Sequence, residues 1–262
     1  MSLLLTIDAG NTNTVLGLHD GPELLMHWRL TTRREQTSDE WGIFVRNLFA
    51  SFGVDPKQVG GVALASVVPP LTPVLVALAR DYLGQEALVV EPGVRTGMPI
   101  LYEPASDVGA DRIVNGVAAF ALFGGPLIVV DFGTATTFDV VTARGEYVGG
   151  VICPGVGISA DALFQRAARL PRVDVRQPAR VIGRSTVSSI QSGLFFGYAA
   201  LVEGLIARIK AELDEPCRVV ATGGLAQTLA AELPSIDLVD PVLTLTGLRL
   251  IWERNRGPAA RA

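Results

Sequence analysis

The sequence predicts an α/β protein of two related halves, each a mixed, mostly parallel sheet with an antiparallel hairpin and flanking helices. Three observations predict it. An Asp-x-Gly turn rich in hydroxyl and amide side chains occurs twice, as Asp8-Ala9-Gly10-Asn11-Thr12-Asn13 and as Asp131-Phe132-Gly133-Thr134-Ala135-Thr136-Thr137. Each copy closes an apolar run, Leu3–Ile7 or Leu127–Val130, and leads into a second strand-like run. Strand-like and helix-like stretches then alternate along the chain, the pattern of layered α/β folds.

Element by element, Leu3–Ile7, Thr14–His19 and Leu24–Leu30 read as strands, with Asp20-Gly21-Pro22 as a turn. A helix is expected from an N-cap at Ser38 to about Phe52, because Trp41, Phe44, Val45, Leu48 and Phe49 recur at three-to-four spacing. Val62–Ser66 reads as a strand, Pro70–Leu83 as a helix with proline in its first turn, and Ala87–Val90 as a strand. A crossover helix over Ala110–Phe123 opens the second half. Strands follow at Leu127–Asp131, Thr136–Thr142 and Tyr147–Ile152, with Ala143-Arg144-Gly145-Glu146 as the hairpin turn. Helices are expected over Gly157–Ala168 and Thr186–Leu213, then strand Arg218–Thr222, helix Leu225–Glu232, strand Ile236–Val239 and helix Leu243–Arg254. The hairpins make each sheet antiparallel at one side and parallel elsewhere. The expected division is 1–108 and 109–262.

Composition narrows the function. The chain has 262 residues, 49% hydrophobic, with 22 basic against 26 acidic side chains, so it can bury a core and is not a disordered chain. No basic stripe interleaved with aromatics is present, and nucleic acid is not expected as a partner. Arg33-Arg34 and Arg166/Arg169 read as solvated surface, although a guanidinium can also meet an anionic substrate. Cys153 and Cys217 match no metal spacing, which points to a reducing compartment, the cytoplasm. The first residues lack the basic flank of a secretion signal, and no apolar run approaches about 18 residues, so no membrane span is expected. The Gly/Pro/Arg/Ala-rich stretch 254–262 is expected to fray. Only His19 and His27 are available, both in strand-like runs, which leaves a Ser/His/Asp hydrolase or a His-ligated metal poorly supplied. The Gly-x-x-x-x-Gly-Lys-Ser/Thr loop is absent.

The duplicated turns carry the chemistry. A glycine lets backbone N–H groups approach an anion, hydroxyls hydrogen-bond phosphate oxygens, and a carboxylate holds a cation. Two such turns suggest a nucleotide bound between two halves. Asp8 alone also reads as a turn cap, and the threonines near Asp131 also read as β-formers, Thr137 more than Thr134. In Gly109-Ala110-Asp111-Arg112 a carboxylate can take a proton from an alcohol and an arginine can grip an anion; a helix cap with a surface arginine is the plainer alternative. Gly149–Gly155 and Thr222-Gly223-Gly224 offer close backbone approach to a ligand. Gly155-Val156-Gly157-Ile158-Ser159-Ala160 matches the dinucleotide fingerprint but leaves a hairpin strand instead of opening a βαβ unit.

Taken in order, Asp8–Asn13, Gly109–Arg112, Asp131–Thr137, Gly149–Gly155, Gly183–Gly193 and Thr222–Gly224 resemble the type III pantothenate kinases, within the actin-like ATPase and sugar kinase superfamily with its ribonuclease H-like domains. The resemblance covers nearly the whole chain. It implies ATP-dependent phosphorylation of pantothenate, the first step toward coenzyme A. It further implies that Asp8, Ala9, Gly10, Asn11, Thr12 and Asn13, continuing into Thr14 and Val15, form the ATP phosphate loop, with Thr134 also on ATP. Asp111 becomes the general base. Gly109, Ala110, Arg112, Tyr102 and Thr186 complete the pantothenate pocket, and Asp131 binds potassium or ammonium, with Mg²⁺ accompanying ATP. A homodimer is implied too, so part of the pocket can come from a partner subunit. The family usually carries Asn where this chain has Ser185. Two other readings are a kinase of another small alcohol or sugar and a non-catalytic nucleotide-binding regulator. An arginine beside the base suits an acidic acceptor, and a base facing the acceptor has no use in a pure switch.

Overall fold

A computed structural model describes residues 2–256. In order, the elements are β1 (Leu3–Ala9), β2 (Asn13–Asp20), β3 (Glu23–Thr31), α1 (Ser38–Ser51), β4 (Val59–Ser66), α2 (Thr72–Leu83), β5 (Ala87–Val89) and α3 (Ala110–Phe123). Then come β6 (Leu127–Phe132), β7 (Ala135–Val141), β8 (Tyr147–Pro154), α4 (Val156–Arg166), α5 (Thr186–Leu213), β9 (Arg218–Thr222), α6 (Ala226–Ala230), β10 (Leu238–Val239) and α7 (Leu243–Asn255). Of the stretch expected to fray, Arg254 and Asn255 belong to α7 and Arg256 is described; 257–262 lies outside the described residues.

The chain forms two compact units. One comprises the chain up to Ala118 together with that from Leu243 on, the other Ala119–Val242. The division therefore differs from a cut at 108/109. The reason is α7, whose Leu243, Leu245, Leu248 and Ile251 are buried and which packs on β1, β2 and β4 of the first unit.

The two sheets share one plan. The first runs β3-β2-β1-β4-β5 and the second, read from its hairpin edge, β8-β7-β6-β9-β10. In each, the central strand pairs antiparallel with the next strand in sequence and parallel with the strand after a helix. Side chains alternate across each central strand. In β1, Leu3, Leu5, Ile7 and Ala9 join a core with Trp41, Val45, Phe49, Leu75 and Leu78 of α1 and α2. In β6, Ile128, Val130 and Phe132 join a core with Phe195, Val202 and Ile206 of α5. Asp8 and Asp131 thus fall on the face opposite those helices in both sheets.

Two expectations are corrected. The N-cap of α1 is Thr37 instead of Ser38. The Glu40 N–H donates to the Thr37 hydroxyl at 3.3 Å and the Thr37 N–H donates to the Glu40 carboxylate at 2.7 Å, a reciprocal pair that Ser38, with Trp41 three residues on, has no partner to make. The second concerns apolar length. Counting its glycines and small polar residues, the 28-residue α5 is long and apolar enough to cross a membrane by length and composition. Several of its side chains, among them Leu194, Phe195, Val202 and Ile206, are buried inside the protein.

The first unit also buries a histidine. The Thr6 hydroxyl donates to the Gly17 carbonyl at 3.2 Å, so it accepts from the His19 Nε2–H at 3.1 Å, and the buried His19 Nδ1 has no partner among the described residues. Loss of hydration, reinforced by Arg249, lowers the His19 pKa to about 4. An unfolded His19 takes up its proton near the ordinary 6.5, so stability falls as pH drops from that value toward the folded one. The fall from about pH 7 to about pH 4.5 is expected to reach roughly 2–3 kcal/mol. Urea unfolding of the wild type and of His19→Gln checks this: the difference between them should narrow by that amount at the lower pH, and a pH-independent difference would rule it out.

Candidate active site

Asp8 lies one residue before the end of β1, half-buried, opposite Val15 of β2 and Ala65 of β4. The Gly10 N–H donates to the Asn13 carbonyl at 3.0 Å, closing a turn that leaves Asn11 and Thr12 exposed. Ala9 and Thr14 pair across the base of this turn, with Asn13 and Val15 continuing into β2. The turn is held by the chain just after β3. The Thr32 hydroxyl donates to the Gly10 carbonyl at 2.7 Å and so accepts from the Thr14 hydroxyl at 2.9 Å. The Thr32 N–H donates to the Thr12 carbonyl at 2.9 Å. Arg34 is exposed, as expected, yet it donates to Asn11 Oδ1 at 3.1 Å. A guanidinium only donates, so it fixes Asn11 with its amide N–H₂ turned away from Arg34. Their hold on the turn escaped the sequence reading because Thr32 and Arg34 lie about twenty residues beyond it.

The second turn repeats the first. Asp131 is half-buried near the end of β6, opposite Thr137 of β7 and Thr222 of β9. Gly133 is exposed and Thr134 half-buried between β6 and β7. Gly223 packs directly against this acid. It has φ +94, and a Cβ there would lie 2.4 Å from Asp131 Oδ1 and 2.7 Å from the Phe132 backbone. Behind the turn, the Thr137 hydroxyl donates to the buried Asp139 carboxylate at 3.1 Å, and the Tyr147 hydroxyl donates to its other oxygen at 2.8 Å. The carboxylate of Asp131, with Thr137 and Thr222 in register beside it on β7 and β9, is a hard oxygen donor of the type that fits an alkali cation or ammonium. No cluster of three or more His, Cys, Asp or Glu occurs among the described residues.

Gly109-Ala110-Asp111-Arg112 is the entrance to α3. Asp111 is in the first helical turn, half-buried, and Arg112 is buried. The Arg112 N–H donates to Asp111 Oδ1 at 2.8 Å, and a Cβ on Gly109 would sit 2.6 Å from the same oxygen. Lost hydration raises the Asp111 pKa above the usual carboxylate value, outweighing that hydrogen bond and the charge of Arg112. Such a carboxylate is a stronger base than one in water. Tyr102 is half-buried in the segment leading to α3.

Thr186, in the other unit, is exposed at the first position of α5. Ser185 is the N-cap: its hydroxyl accepts from the Ser188 N–H at 3.2 Å, and the Ser188 hydroxyl accepts from the Ser185 N–H at 3.0 Å, so serine performs the capping at this position. A cavity of about 750 Å³ opens here between Leu163, Leu170, Arg184, Ser185 and Thr186. Another, of about 620 Å³, lies by Phe123, Pro126, Cys217 and Arg218 at the starts of β6 and β9, the ends of those strands away from Asp131 and Thr222. Both cysteines are free thiols, and burial pushes the Cys217 thiol pKa up.

A family profile described as type III pantothenate kinase matches residues 4–208. The type III pantothenate kinase of Moorella thermoacetica is 55% identical over 253 residues, covering 97% of this chain and 100% of that one. That of Koribacter versatilis is 53% identical over 264 residues, covering 97% and 96%. Among solved structures, a Baf family protein of Campylobacter jejuni superposes with a TM-score of 0.60 at 20% identity, covering 96% of this chain and 98% of that one. An inorganic polyphosphate/ATP-glucomannokinase of Arthrobacter gives 0.51 at 16% identity, covering 97% and 100%. These structures share the actin-like ATPase and sugar kinase fold expected from the repeated turns. With a profile over most of its length and relatives above half identity over 97% of it, the chain belongs to the type III pantothenate kinase family.

Proposed function

We propose that this protein transfers the γ-phosphoryl group of ATP to the primary alcohol of pantothenate, giving 4'-phosphopantothenate for coenzyme A biosynthesis, with Asp111 as general base. The observation that carries the assignment of the base is the Asp111 carboxylate, held at a helix entrance with its proton affinity raised. The alcohol proton passes to Asp111 as its oxygen bonds to the γ-phosphorus and the bond from that phosphorus to the ADP oxygen breaks. Arg112, with Gly109, Ala110 and Tyr102, receives the acidic acceptor, and Thr186 contributes from the α5 N-terminus. The turn from Asp8 to Asn13, with Thr14, Val15 and Thr134, holds ATP. Mg²⁺ on the nucleotide and a monovalent cation at Asp131 offset phosphate charge.

The same reading includes a homodimer in the cytoplasm, without nucleic acid or membrane. The dimer is supported by apolar side chains left uncovered around α4 and before α5, among them Phe164 at 49%, Val181 at 65% and Ile182 at 83% exposed. Thr186 stands at the edge of that surface, where a second subunit can share the pocket.

Incubation of the protein with ATP and pantothenate, with product mass recorded, tests the reaction. A product heavier by one phosphoryl group is expected, whereas intact pantothenate beside another phosphorylated alcohol would redirect the assignment. Replacing potassium by sodium is expected to cut turnover roughly tenfold or more, because the larger, more weakly hydrated ion sheds water more readily for protein oxygens. Equal rates in the two salts would remove the cation from Asp131.

A further inference from the structure

We infer that Tyr198, midway along α5, is a positioning residue for the nucleotide: it fixes the Thr134 turn through the β8–α4 corner. This rests on the reading of Thr134 as an ATP contact. The Tyr198 hydroxyl lies 2.8 Å from the Pro154 carbonyl oxygen and 3.2 Å from that of Gly155, and it also meets the Ser159 hydroxyl. The carbonyls only accept, so the single phenolic proton goes to them and Ser159 donates to the phenol oxygen. The chain of donation therefore has one direction, from Ser159 through Tyr198 to the corner.

That corner needs an outside support. Pro154 stands opposite Ala135 at the end of the β7–β8 ladder and has no N–H to close it. The next residue makes the connection, with the Gly155 N–H donating to the Thr134 carbonyl at 3.1 Å. Gly155 approaches so closely that a Cβ there would lie 2.2 Å from the Thr134 oxygen and 2.7 Å from that of Gly133. Gly155 and Val156 are buried, whereas Gly133 is exposed and Thr134 half-buried. The Thr134 turn thus rests on Gly155, whose carbonyl, with that of Pro154, is held by Tyr198.

The test is steady-state kinetics of Tyr198→Phe, Thr134→Ala and the double variant. Tyr198→Phe removes the hydroxyl and keeps the ring, and is expected to raise KM for ATP roughly 3–10-fold with KM for pantothenate unchanged. Thr134→Ala is expected to raise KM for ATP as well. Added to Thr134→Ala, the tyrosine change should contribute little more, because both act on one contact. Ser159→Ala leaves the phenol bonded to the corner and should have a smaller effect in the same direction, which serves if Tyr198→Phe folds poorly. If Thr134→Ala raises KM for ATP and Tyr198→Phe does not, or if the two effects multiply in full, the role of Tyr198 is overturned while that of Thr134 stands. If Thr134→Ala leaves KM for ATP unchanged, the Thr134 assignment itself falls, and this inference with it.

Discussion

Asp111→Asn is expected to lower kcat by roughly 10²–10⁴ while ATP still binds with its wild-type affinity. The amide matches the carboxylate in shape, so the contact with the Arg112 N–H can persist through the amide oxygen and the helix entrance is kept. What disappears is the ability to accept a proton from the alcohol. The pH profile gives a second readout. Turnover requires the ionised acid, and burial raises its pKa, so the acid limb of kcat is expected above the ordinary carboxylate range. The residual activity of the variant should lack that limb. The sign for stability is opposite to the sign for catalysis: a carboxyl with a raised folded-state pKa favours the fold more as pH falls through that pKa, so acid stabilises this locus as it silences it. Isothermal titration with a non-hydrolysable nucleotide, beside stopped assays across pH, separates the two. Near-wild-type turnover in the asparagine variant would remove Asp111 from the role.

Gly223→Ala is expected to destabilise the second unit by about 2–4 kcal/mol and to weaken activation by potassium. Two effects act together. The backbone at φ +94 is a conformation that a Cβ disfavours, and the new methyl would meet the Asp131 carboxylate and the backbone of Phe132. The carboxylate can rotate aside, but the β6 backbone cannot move without disturbing its pairing with β9. A shift in the potassium concentration for half-maximal rate is therefore expected with a fall in the thermal midpoint. An alanine variant with wild-type values of both would show that the strand ends separate freely. A lowered midpoint with unchanged potassium response would restrict the effect to packing.

Much of this fold was legible in the sequence because its signals are local. The bounds expected for α3, α5 and β9 agree with those observed, since apolar periodicity and flanking breakers define them within one stretch. The two Asp-x-Gly turns also announced themselves, and both acids stand near the ends of central strands. What escaped depends on partners distant in sequence. Thr32 supports Gly10 from beyond β3, and Tyr198 reaches the 154–155 corner across 43 positions. Neither hydroxyl belongs to a recognisable spacing. β10 itself is short: Leu238 and Val239 stand in register with β9, and the Asp237 and Asp240 N–H groups on either side donate to the Val219 and Ala221 carbonyls. The N-cap of α1 was missed by one residue because Thr37 and Ser38 are both good caps, and only the reciprocal contact with Glu40 chooses between them.

The return of α7 to the first sheet has a consequence for the order in which the chain matures. Residues 119–242 are continuous and carry all the partners their sheet needs, so this unit can consolidate as soon as it has been synthesised. The strands made first must wait longest. One face of β1 and β4 remains without Leu245, Leu248 and Ile251 until the chain beyond residue 242 has been translated. During that interval the amino-terminal sheet is the part of the nascent polypeptide with most need of a chaperone.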